Sequence, residues 1–509
     1  MGQTYGSLKT AISGASESSR RPVNSDIATV YGQGKLVSEP ALLESDMSSF
    51  QSDSSLCIEV DRDLNIETDS CASHSSLSAG SISGTSSSGS LGLSSVERVN
   101  SFSSDVSSFI DSPTAASRNI SSSSVNSSKT VNLNDFEILK LLGNGSHGKV
   151  YLVRHKSCPS GQLYAMKEFK KKIIVSKGQS RQTKTELEIH MSLAQDEEST
   201  CPYIAKLYWA FNTRKRLYMV FEFCSGGELY HHIGQRGRIP IDLARLYAAQ
   251  IAYTLSFLHR RGIVYRDLKP ENLVLCADGN LNLVDFGLCK VYESSNGYEK
   301  EKDGFICGTT EYLSPEILGS GQNSLSVDWW ALGMVLYEML TGLPPWYSYN
   351  QNMVINGILH RELTFPAYLS DDSLEMRNLR SFLQGLLTKN PEQRLGGVSP
   401  DGADAVLSHP FFDDIDWDEL AGKRIAPPFV PPNDTATCNF DEKFLSMKLD
   451  VETSPECCLP EDEFSYFFFN RHECIRGRDL FRKYESQMLE YRQQDLLRTE
   501  KKQVSIPSF

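Results

Sequence analysis

The stretch Tyr265-Arg266-Asp267-Leu268-Lys269-Pro270-Glu271-Asn272 decides the fold, together with Asp285-Phe286-Gly287, which begins thirteen positions after the stretch ends. The octet places a carboxylate, a cation and an amide on one short turn, and the tripeptide adds a second carboxylate. Phosphoryl transfer to a hydroxyl group needs such parts: a proton acceptor, a cation near the moving phosphoryl group, and oxygen ligands for magnesium. The alternative, a polar turn between buried strands, does not require these residues at this spacing. The candidate residues are Asp267 and Lys269 for catalysis and Asn272 and Asp285 for metal binding.

A glycine-rich turn lies upstream, between an apolar stretch that begins at Phe136 and another that runs from Val150 to Arg154. Because both flanking stretches have the composition of strands, the G-x-G-x-x-G pattern predicts a hairpin over nucleotide phosphates rather than the strand-to-helix turn of dinucleotide sites. The motif alone is weak, since a hairpin without a ligand has the same glycines. The nucleotide-binding residues predicted here are Leu142, Gly143, Asn144, Gly145, Ser146, His147, Gly148, Lys149 and Val150.

A lysine at the end of the apolar strand Tyr164-Ala165-Met166-Lys167 strengthens the nucleotide prediction. A lysine in a buried strand is costly unless it is paired, so a carboxylate on the next predicted helix, 180–193, should face it. Glu186 shares the apolar face of that helix, whereas Glu188 points about 200° away. We expect Lys167 and Glu186 to form an ion pair that holds the phosphates, with Ala165 lining the nucleotide pocket.

The segment from Glu222 to Glu228 suits a hinge between two lobes, because extended backbone is followed by a double glycine. We expect main-chain groups of Glu222 and Cys224 to bind the adenine edge and Glu228 to reach the ribose. Cys224 could instead be a reactive thiol, but no adjacent cation in the sequence activates it. From Leu229 onward apolar residues recur at three- and four-residue steps, which predicts a mainly helical second lobe.

These motifs, with Ser314-Pro315-Glu316 and His409-Pro410-Phe411-Phe412, resemble the AGC family of serine/threonine protein kinases over about 136–466. The chain is most similar to the branch of protein kinase B, the serum-regulated kinases and the ribosomal-protein kinases. The resemblance implies an α+β bilobal protein kinase fold: a small β-sheet lobe plus one helix, a larger mainly helical lobe and a C-terminal extension. It implies a kinase domain over 136–412, the extension over 413–470 and a helical or flexible segment over 471–509.

The resemblance also implies ATP and Mg²⁺ as cofactors, with Phe440 completing the adenine pocket. Substrates are expected to carry arginine upstream of the acceptor serine or threonine, since charge-assisted pairs with carboxylates favour the guanidinium fork. The alternative is that the matching acids are solvated surface groups. The substrate-recognition candidates are Glu228, Glu271 and Glu338. Structural pairs are expected between Glu316 and Arg394 and between Asp328 and the catalytic loop backbone.

Residues 1–133 have a different composition, in which roughly three in ten residues are serine and apolar residues occur singly. Such a segment buries too little surface to offset its ordering entropy, so a disordered tail is expected. The tail contains 8 Lys and Arg against 14 Asp and Glu, and so carries −6 of the chain's net charge of −13. Nucleic acids and anionic lipids demand cationic surfaces, so neither is expected as the main partner.

The twelve cysteines contain no C-x-x-C pair and no apolar run approaches the length of a membrane span. A cytoplasmic protein with reduced thiols and no transmembrane segment is therefore expected. Gly2 lies in a sequence that partly matches an N-myristoylation signal, but one acyl chain without a basic patch anchors a protein only marginally.

Four serines are candidate phosphosites. Arg98 precedes Ser101 by three positions and Arg118 precedes Ser121 by three, which fits autophosphorylation, although this spacing arises often by chance in such a tail. Ser454, followed by proline, resembles the proline-directed turn site of the family. Ser465 lies in the C-terminal hydrophobic motif.

Two departures from the family leave regulation open. Phe305 occupies the position of the usual activation-loop phosphothreonine, and we hypothesise that nearby acidic residues substitute for the phosphate. Glu461 stands where the hydrophobic motif has its first aromatic residue, so weaker docking to the small lobe is expected and dependence on an upstream kinase is open. A pseudokinase that acts as a scaffold is the rival interpretation, although every phosphoryl-transfer residue is present.

Overall fold

The computed structural model describes residues 131–145, 148–195, 200–292, 308–399, 401–451 and 463–472. All of them belong to one compact unit. The described chain begins just before the predicted end of the tail, and Leu133 is already buried against Phe136 in the core of the small lobe. Several predictions concern residues outside this part of the chain: the tail up to residue 130, Gly2, Ser101, Ser121, Ser146, His147, Phe305, Ser454, Glu461 and the segment after 472.

The described residues form eleven strands and eleven α-helices. The strands are β1 (Phe136–Gly145), β2 (Gly148–His155), β3 (Leu163–Lys170), β4 (Leu207–Asn212), β5 (Arg216–Glu222), β6 (Gly227–Glu228), β7 (Ile263–Val264), β8 (Leu273–Leu275), β9 (Leu281–Leu283), β10 (Lys290–Val291) and β11 (Phe469–Asn470). The helices are α1 (Lys171–Ser176), α2 (Ser180–Gln195), α3 (Leu229–Arg236), α4 (Ile241–His259), α5 (Pro315–Ser320), α6 (Ser326–Thr341), α7 (Gln351–His360), α8 (Leu374–Leu386), α9 (Gly402–Leu407), α10 (Trp417–Ala421) and α11 (Glu442–Leu445).

The small lobe is an antiparallel sheet of six strands in the order β1-β2-β3-β5-β4-β11. Side chains alternate across it, so that Met166 of β3 packs with Tyr151 and Val153 on one face, while Phe169 packs on the other face against Leu187 of α2. The predicted G-x-G-x-x-G turn joins β1 to β2 as a hairpin, with Gly145 opposite Gly148.

The large lobe is mainly helical and is organised around α4 and α6. Both helices are apolar around most of their circumference, and only Thr341 of α6 is not buried. A helix that is hydrophobic all round belongs in the centre of a lobe, where neighbouring helices cover every face. Because α6 is central, Asp328 in its first turn is completely buried beneath the catalytic loop. The bilobal α+β fold predicted from the motifs is therefore confirmed.

The C-terminal extension returns to the small lobe and adds the edge strand β11. Three of its phenylalanines, Phe464, Phe467 and Phe469, are almost fully buried against β4, β5 and α2. Asn212 donates from Nδ2 to the carbonyls of Phe464 and Phe467, both at 3.1 Å.

Phe467 and Phe469 fill the same apolar surface as Phe464 and so extend the buried area of this contact. The expectation that Glu461 weakens docking to the small lobe stays a prediction, because Glu461 lies outside the described residues.

Candidate active site

The catalytic loop is held by one buried carboxylate. Asp328 accepts hydrogen bonds from the main-chain N–H groups of Tyr265 and Arg266, each at 2.8 Å, and its Oδ2 lies 2.8 Å from Nε2 of His259. Arg266 has a φ of +67°, a conformation that is strained for residues other than glycine. Its side chain donates from Nε to the carbonyl of Leu288. These bonds keep the loop in a shape that local preference alone would not select, and the expected role of Asp328 is confirmed.

Asp267 lies at the centre of a compact polar group. Asn272 donates from Nδ2 to the main-chain carbonyl of Asp267 at 2.7 Å and to its Oδ2 at 2.8 Å. Nζ of Lys269 lies 3.2 Å from the same Oδ2 and donates to Oγ1 of Thr309 at 3.0 Å. Burial raises the pKa of Asp267 to about 6, with Lys269 opposing this change. The carboxylate is therefore ionised near neutral pH and has a basicity suited to accepting a proton.

Thr309 was not among the residues selected from the sequence. Its contact with Lys269 links the catalytic loop to the segment that follows residue 307, forty positions further along the chain. Thr309 is the last residue of a Cys-Gly-Thr sequence, but a threonine in a polar loop does not by itself indicate which residue it contacts.

The predicted ion pair between Lys167 and Glu186 is confirmed, and a third residue joins it. Nζ of Lys167 lies 2.9 Å from Oε1 of Glu186 and 2.9 Å from Oδ1 of Asp285. Burial alone would lower the pKa of Lys167, but the two carboxylates outweigh this effect and raise its pKa, so the amine stays charged. The lysine thus bridges the small lobe and the Asp285 turn.

The Asp285 turn is also held in an unusual backbone conformation. Asp285 has a φ of +59°, and its Oδ1 accepts the N–H of Gly287 at 3.3 Å. A cavity beside this turn is lined by three charged residues that contact one another and by residues of the glycine turn: Lys167, Glu186, Asp285, Asn144, Gly145, Gly148 and Lys149. The structure therefore brings the two predicted phosphate-binding motifs to one cavity.

Gly148 is required by the close approach of two strands. Its φ is +135°, and a Cβ atom placed there would lie 1.9 Å from the carbonyl oxygen of Glu168. Lys149 has a further partner, since its Nζ lies 2.9 Å from Oδ2 of Asp450 in the extension. Leu142 is buried, and Val150 pairs with Lys167 in the sheet. Ser146 and His147 lie outside the described residues.

The hinge brings the extension to the predicted adenine pocket. Phe440 stacks on Phe223 with ring centroids 5.6 Å apart, and Asn439 donates from Nδ2 to the carbonyl of Ser225 at 2.9 Å. Ala165 lies opposite Phe221 in the sheet. The side chain of Glu222 accepts a hydrogen bond from Nδ2 of Asn282 at 2.7 Å.

A comparison with known protein families identifies the family of this chain. The family model described as "Protein kinase domain" matches residues 136–412, which is more than half of the chain. The chain belongs to the protein kinase family.

The kinase domain is similar to curated serine/threonine kinases. The chain is 42% identical over 324 residues to the serine/threonine-protein kinase gad8 of Schizosaccharomyces pombe, a match that covers 63% of this chain and 53% of the relative. It is 40% identical over 328 residues to the RAC-beta serine/threonine-protein kinases of Homo sapiens and of Mus musculus, covering 64% of each chain. The matched region thus spans about half to two thirds of these relatives. They are AGC kinases, so the family predicted from the motifs is confirmed.

A cluster of carboxylates lies beside the catalytic loop of the kinase domain. Glu338 is only 5% exposed and accepts a hydrogen bond from the hydroxyl of Tyr312 at 2.6 Å. Burial raises its pKa to about 8, and the charges of Glu271 and Glu311 add to this. Loss of hydration raises the pKa of Glu228 to about 7, with Glu271 as the second cause. The three predicted substrate-recognition acids therefore influence one another electrostatically.

Within this cluster, the hydrogen bonding of Glu271 is incomplete among the described residues. Its Oε2 is buried and has no hydrogen-bond partner among the described residues. A buried carboxylate oxygen without a donor is costly, so the geometry suits a cationic group supplied from outside.

An aromatic row connects α2 to the catalytic loop of the kinase domain. The ring of His190 lies 4.7 Å from that of Phe286, which lies 5.4 Å from that of Tyr265. Burial lowers the pKa of His190 to about 3, so the imidazole is neutral. Sequence reasoning missed His190, because a polar residue on an apolar helix face gives no indication of ring stacking.

The segment that contains Glu316 is anchored in the large lobe of the kinase domain. Arg394 and Glu316 form a bidentate pair with N–O distances of 2.7 and 2.8 Å, which confirms the predicted pairing. The Arg394 side chain is fully buried and also donates to the carbonyls of Ser326 and Thr388.

The side chains of the kinase domain can be compared with the ligands that Mg²⁺ requires. Within the described residues no group of three or more His, Cys, Asp or Glu side chains is arranged to hold a metal ion. Mg²⁺ bound to nucleotide phosphates needs only one or two protein carboxylates, with waters and phosphate oxygens completing its shell. Asp285 and the amide oxygen of Asn272 fit that role.

Over the same described residues, no helix is long and apolar enough to cross a bilayer.

Proposed function

We propose that this chain is an ATP-dependent serine/threonine protein kinase that phosphorylates serine and threonine in arginine-containing contexts. The observation that carries the proposal is the position of Lys167 between Glu186 and Asp285, at 2.9 Å from each. That arrangement sets a charged amine where nucleotide phosphates enter, beside a carboxylate that can hold Mg²⁺. Its parts come from β3, α2 and the turn after β9, so they meet only when both lobes are assembled.

The proposed roles follow from charge and position. Asp267 accepts the proton of the substrate hydroxyl, and Lys269 and Lys167 offset phosphate charge. Asn272 and Asp285 hold Mg²⁺, which would neutralise charge on the transferred phosphoryl group. Residues of the glycine turn cover the phosphates, while main-chain groups of Glu222 and Cys224, with Phe440, bind adenine. Such a site works mainly by positioning and electrostatics, and each stabilising group commonly contributes about 3 kcal/mol.

The rival proposal, a pseudokinase scaffold, receives less support from the site. A scaffold has no need to keep Asp267 hydrogen-bonded to Asn272 and paired with Lys269, nor to hold Arg266 and Asp285 at positive φ. Backbone strain of this kind costs stability and is typical of sites where geometry matters.

The preference for arginine is supported by the acids beside the catalytic loop. Glu228, Glu271 and Glu338 converge there, and Oε2 of Glu271 lacks a donor among the described residues. A guanidinium supplies several donors and a permanent charge in one planar group, which suits such a cluster better than lysine.

The decisive experiment uses the full chain, Mg-ATP and two peptides that differ only in having arginine or alanine upstream of the serine. We expect phosphate on the serine, with kcat/KM for the alanine peptide lowered at least tenfold. Asp267→Asn should abolish transfer, while Asp413→Asn, a change at an exposed acid outside the site, should not. Absence of transfer to every peptide by the unaltered chain would contradict the proposal, and equal rates for both peptides would remove the specificity part.

Regulation and location are further parts of the proposal. Ser465 is exposed between the buried Phe464 and the partly buried Tyr466, which suits a phosphosite. Ser454 is proposed as a turn-site phosphoserine, and Ser101 and Ser121 as autophosphorylation sites. A cytoplasmic location is proposed on the sequence alone, while dependence on an upstream kinase and acylation at Gly2 stay open.

A further inference from the structure

Two cysteine side chains face each other behind the hinge. Sγ of Cys224 lies 3.3 Å from Sγ of Cys276, and one thiol donates a hydrogen bond to the other. Cys224 is buried, with 8% of its surface exposed, whereas Cys276 is partly exposed. The two residues are 52 positions apart in the chain, so no local sequence pattern indicates that they meet.

The backbone around both cysteines is fixed by sheet pairing. The N–H of Gly226 donates to the carbonyl of Leu275 at 2.9 Å, and Gly227 lies opposite Leu275 where β6 pairs with β8. The N–H of Cys276 donates to the carbonyl of Asn280 at 2.8 Å. A disulfide has a sulfur–sulfur distance of about 2.05 Å, so the sulfurs need to approach by only about 1 Å.

We propose that Cys224 and Cys276 form a redox site, which a hydroperoxide oxidises to a disulfide that clamps the hinge. The sulfur of Cys276, as thiolate, attacks a peroxide oxygen; the O–O bond breaks, and the leaving hydroxide or alkoxide takes up a proton. The sulfur of Cys224 then attacks the resulting sulfenic acid, the S–O bond breaks, and the oxygen leaves as water with the thiol proton. The two sulfurs together lose the two electrons that the peroxide gains. A dithiol reductant then returns both cysteines to thiols by exchange and is itself oxidised to a disulfide.

The surroundings assign different roles to the two thiols. The hydrogen bond with Cys276 and burial raise the pKa of Cys224 well above its ordinary value, so its thiolate is scarce. Cys276 is the more accessible of the two and is therefore the sulfur that a peroxide reaches first. The buried Cys224 is the resolving thiol, held within contact distance.

The functional consequence rests on the proposed ATP site. Among the described residues no backbone hydrogen bond engages the main chain of Cys224, which is expected to bind the adenine edge. Drawing Cys224 toward Cys276 displaces these main-chain groups. Weakening one hydrogen bond of ordinary net strength corresponds to about a fivefold loss of affinity, so nucleotide binding should weaken by about that factor.

The chemical test treats the full chain with hydrogen peroxide, blocks free thiols, digests without reductant and identifies linked fragments by mass spectrometry. We expect a fragment that joins Cys224 to Cys276, which dithiothreitol abolishes and which Cys276→Ser never yields. Cys438→Ser is the matched control, since Cys438 is exposed and bonds only a carbonyl, and it should leave the linked fragment unchanged. Recovery of Cys224 as a free thiol while Cys276 is oxidised further or paired elsewhere would overturn the proposal.

The functional test measures the affinity of a fluorescent ATP analogue before and after oxidation. We expect an increase in Kd of about fivefold in the unaltered chain and in Cys438→Ser, reversed by dithiothreitol, and no change in Cys276→Ser. An unchanged Kd in protein that carries the disulfide would overturn the hinge effect. The mass spectrum reports the disulfide whether or not the chain phosphorylates a substrate, so failure of the kinase activity would be recognised separately.

Discussion

Asp267 makes the proposed activity sensitive to mild acid. Burial raises the pKa of Asp267 to about 6, and only the ionised carboxylate can accept a proton. We therefore expect kcat to fall as pH decreases through about 6, by about tenfold for each further pH unit. The measurement is kcat at saturating Mg-ATP and peptide from pH 5 to 8, with circular dichroism as a control for unfolding. A flat profile down to pH 5 would contradict the assignment of Asp267 as the proton acceptor.

The proposed binding of substrate arginine by Glu338 should depend on pH. Burial, with the charges of Glu271 and Glu311, raises the pKa of Glu338 to about 8, so this carboxyl gains its negative charge only as pH rises through that value. Arginine remains charged throughout. The KM for an arginine peptide should therefore fall several-fold between pH 6.5 and 8.5.

The control for this prediction is Glu338→Gln, which should weaken the pH dependence of KM. A second control is the peptide in which alanine replaces arginine, whose KM should not change with pH. If both peptides respond to pH equally, the acids do not bind the arginine.

At the scale of elements, the pairing of α5 with the loop after α8 is expected to hold the large lobe together. Breaking a buried ion pair leaves an uncompensated charge and costs about 3–5 kcal/mol. Arg394→Ala removes the buried partner of Glu316 and should lower the free energy of unfolding in urea by about that amount. Arg424→Ala breaks an exposed pair with Glu419, which water screens, and should lower the free energy of unfolding far less than Arg394→Ala does. Equal losses in the two variants would show that burial does not set the cost.

Docking of β11 is expected to depend on Phe467, which is fully buried beneath the small-lobe sheet. Phe467→Ala removes a ring whose loss from a packed core costs about 3–5 kcal/mol, and the bonds from Asn212 should break with it. We expect faster hydrogen exchange in β4 and α2 and lower kinase activity, because α2 carries Glu186. Met447→Ala, at a partly exposed residue of the same extension, is the control and should leave exchange in β4 unchanged. Unchanged exchange in Phe467→Ala would mean that the segment docks without this ring.

For the molecule as a whole, nucleotide and metal should stabilise both lobes together. A ligand at a hundred times its Kd adds about 2.7 kcal/mol to the free energy of unfolding. We expect a larger rise in Tm with Mg-ATP than with ATP and a chelator, because Asp285 and Asn272 bind only through the metal. Asp285→Asn should remove most of the difference, while Asp413→Asn should retain it. A rise that is the same with and without the chelator would argue against these two residues as metal ligands.

Much of the active site could be predicted because its signals are short-range. The octet at 265–272 carries the predicted carboxylate, cation and amide within eight residues. The helical repeat alone favours Glu186 over Glu188 as the partner of Lys167. In each case neighbours along the chain are also neighbours in space.

Other features depended on contacts between distant segments. Nothing near Thr309 marks it as a partner of Lys269, and His190 gains its ring contacts only when α2 packs over Phe286. The packing of Phe467 and Phe469 against α2 likewise joins segments that are far apart in the chain, because apolar area is buried only where a ring reaches a complementary surface.

The sequence by itself determined the family, the two lobes, and which lysine, carboxylates and amide are proposed for the phosphoryl-transfer site. Only the tertiary structure decided that Glu271 keeps a buried oxygen without a donor among the described residues and that Cys224 faces Cys276 at 3.3 Å. The reason is physical: spacing along a turn, strand or helix fixes local geometry, but desolvation and sulfur–sulfur contact arise only when separate segments are packed together.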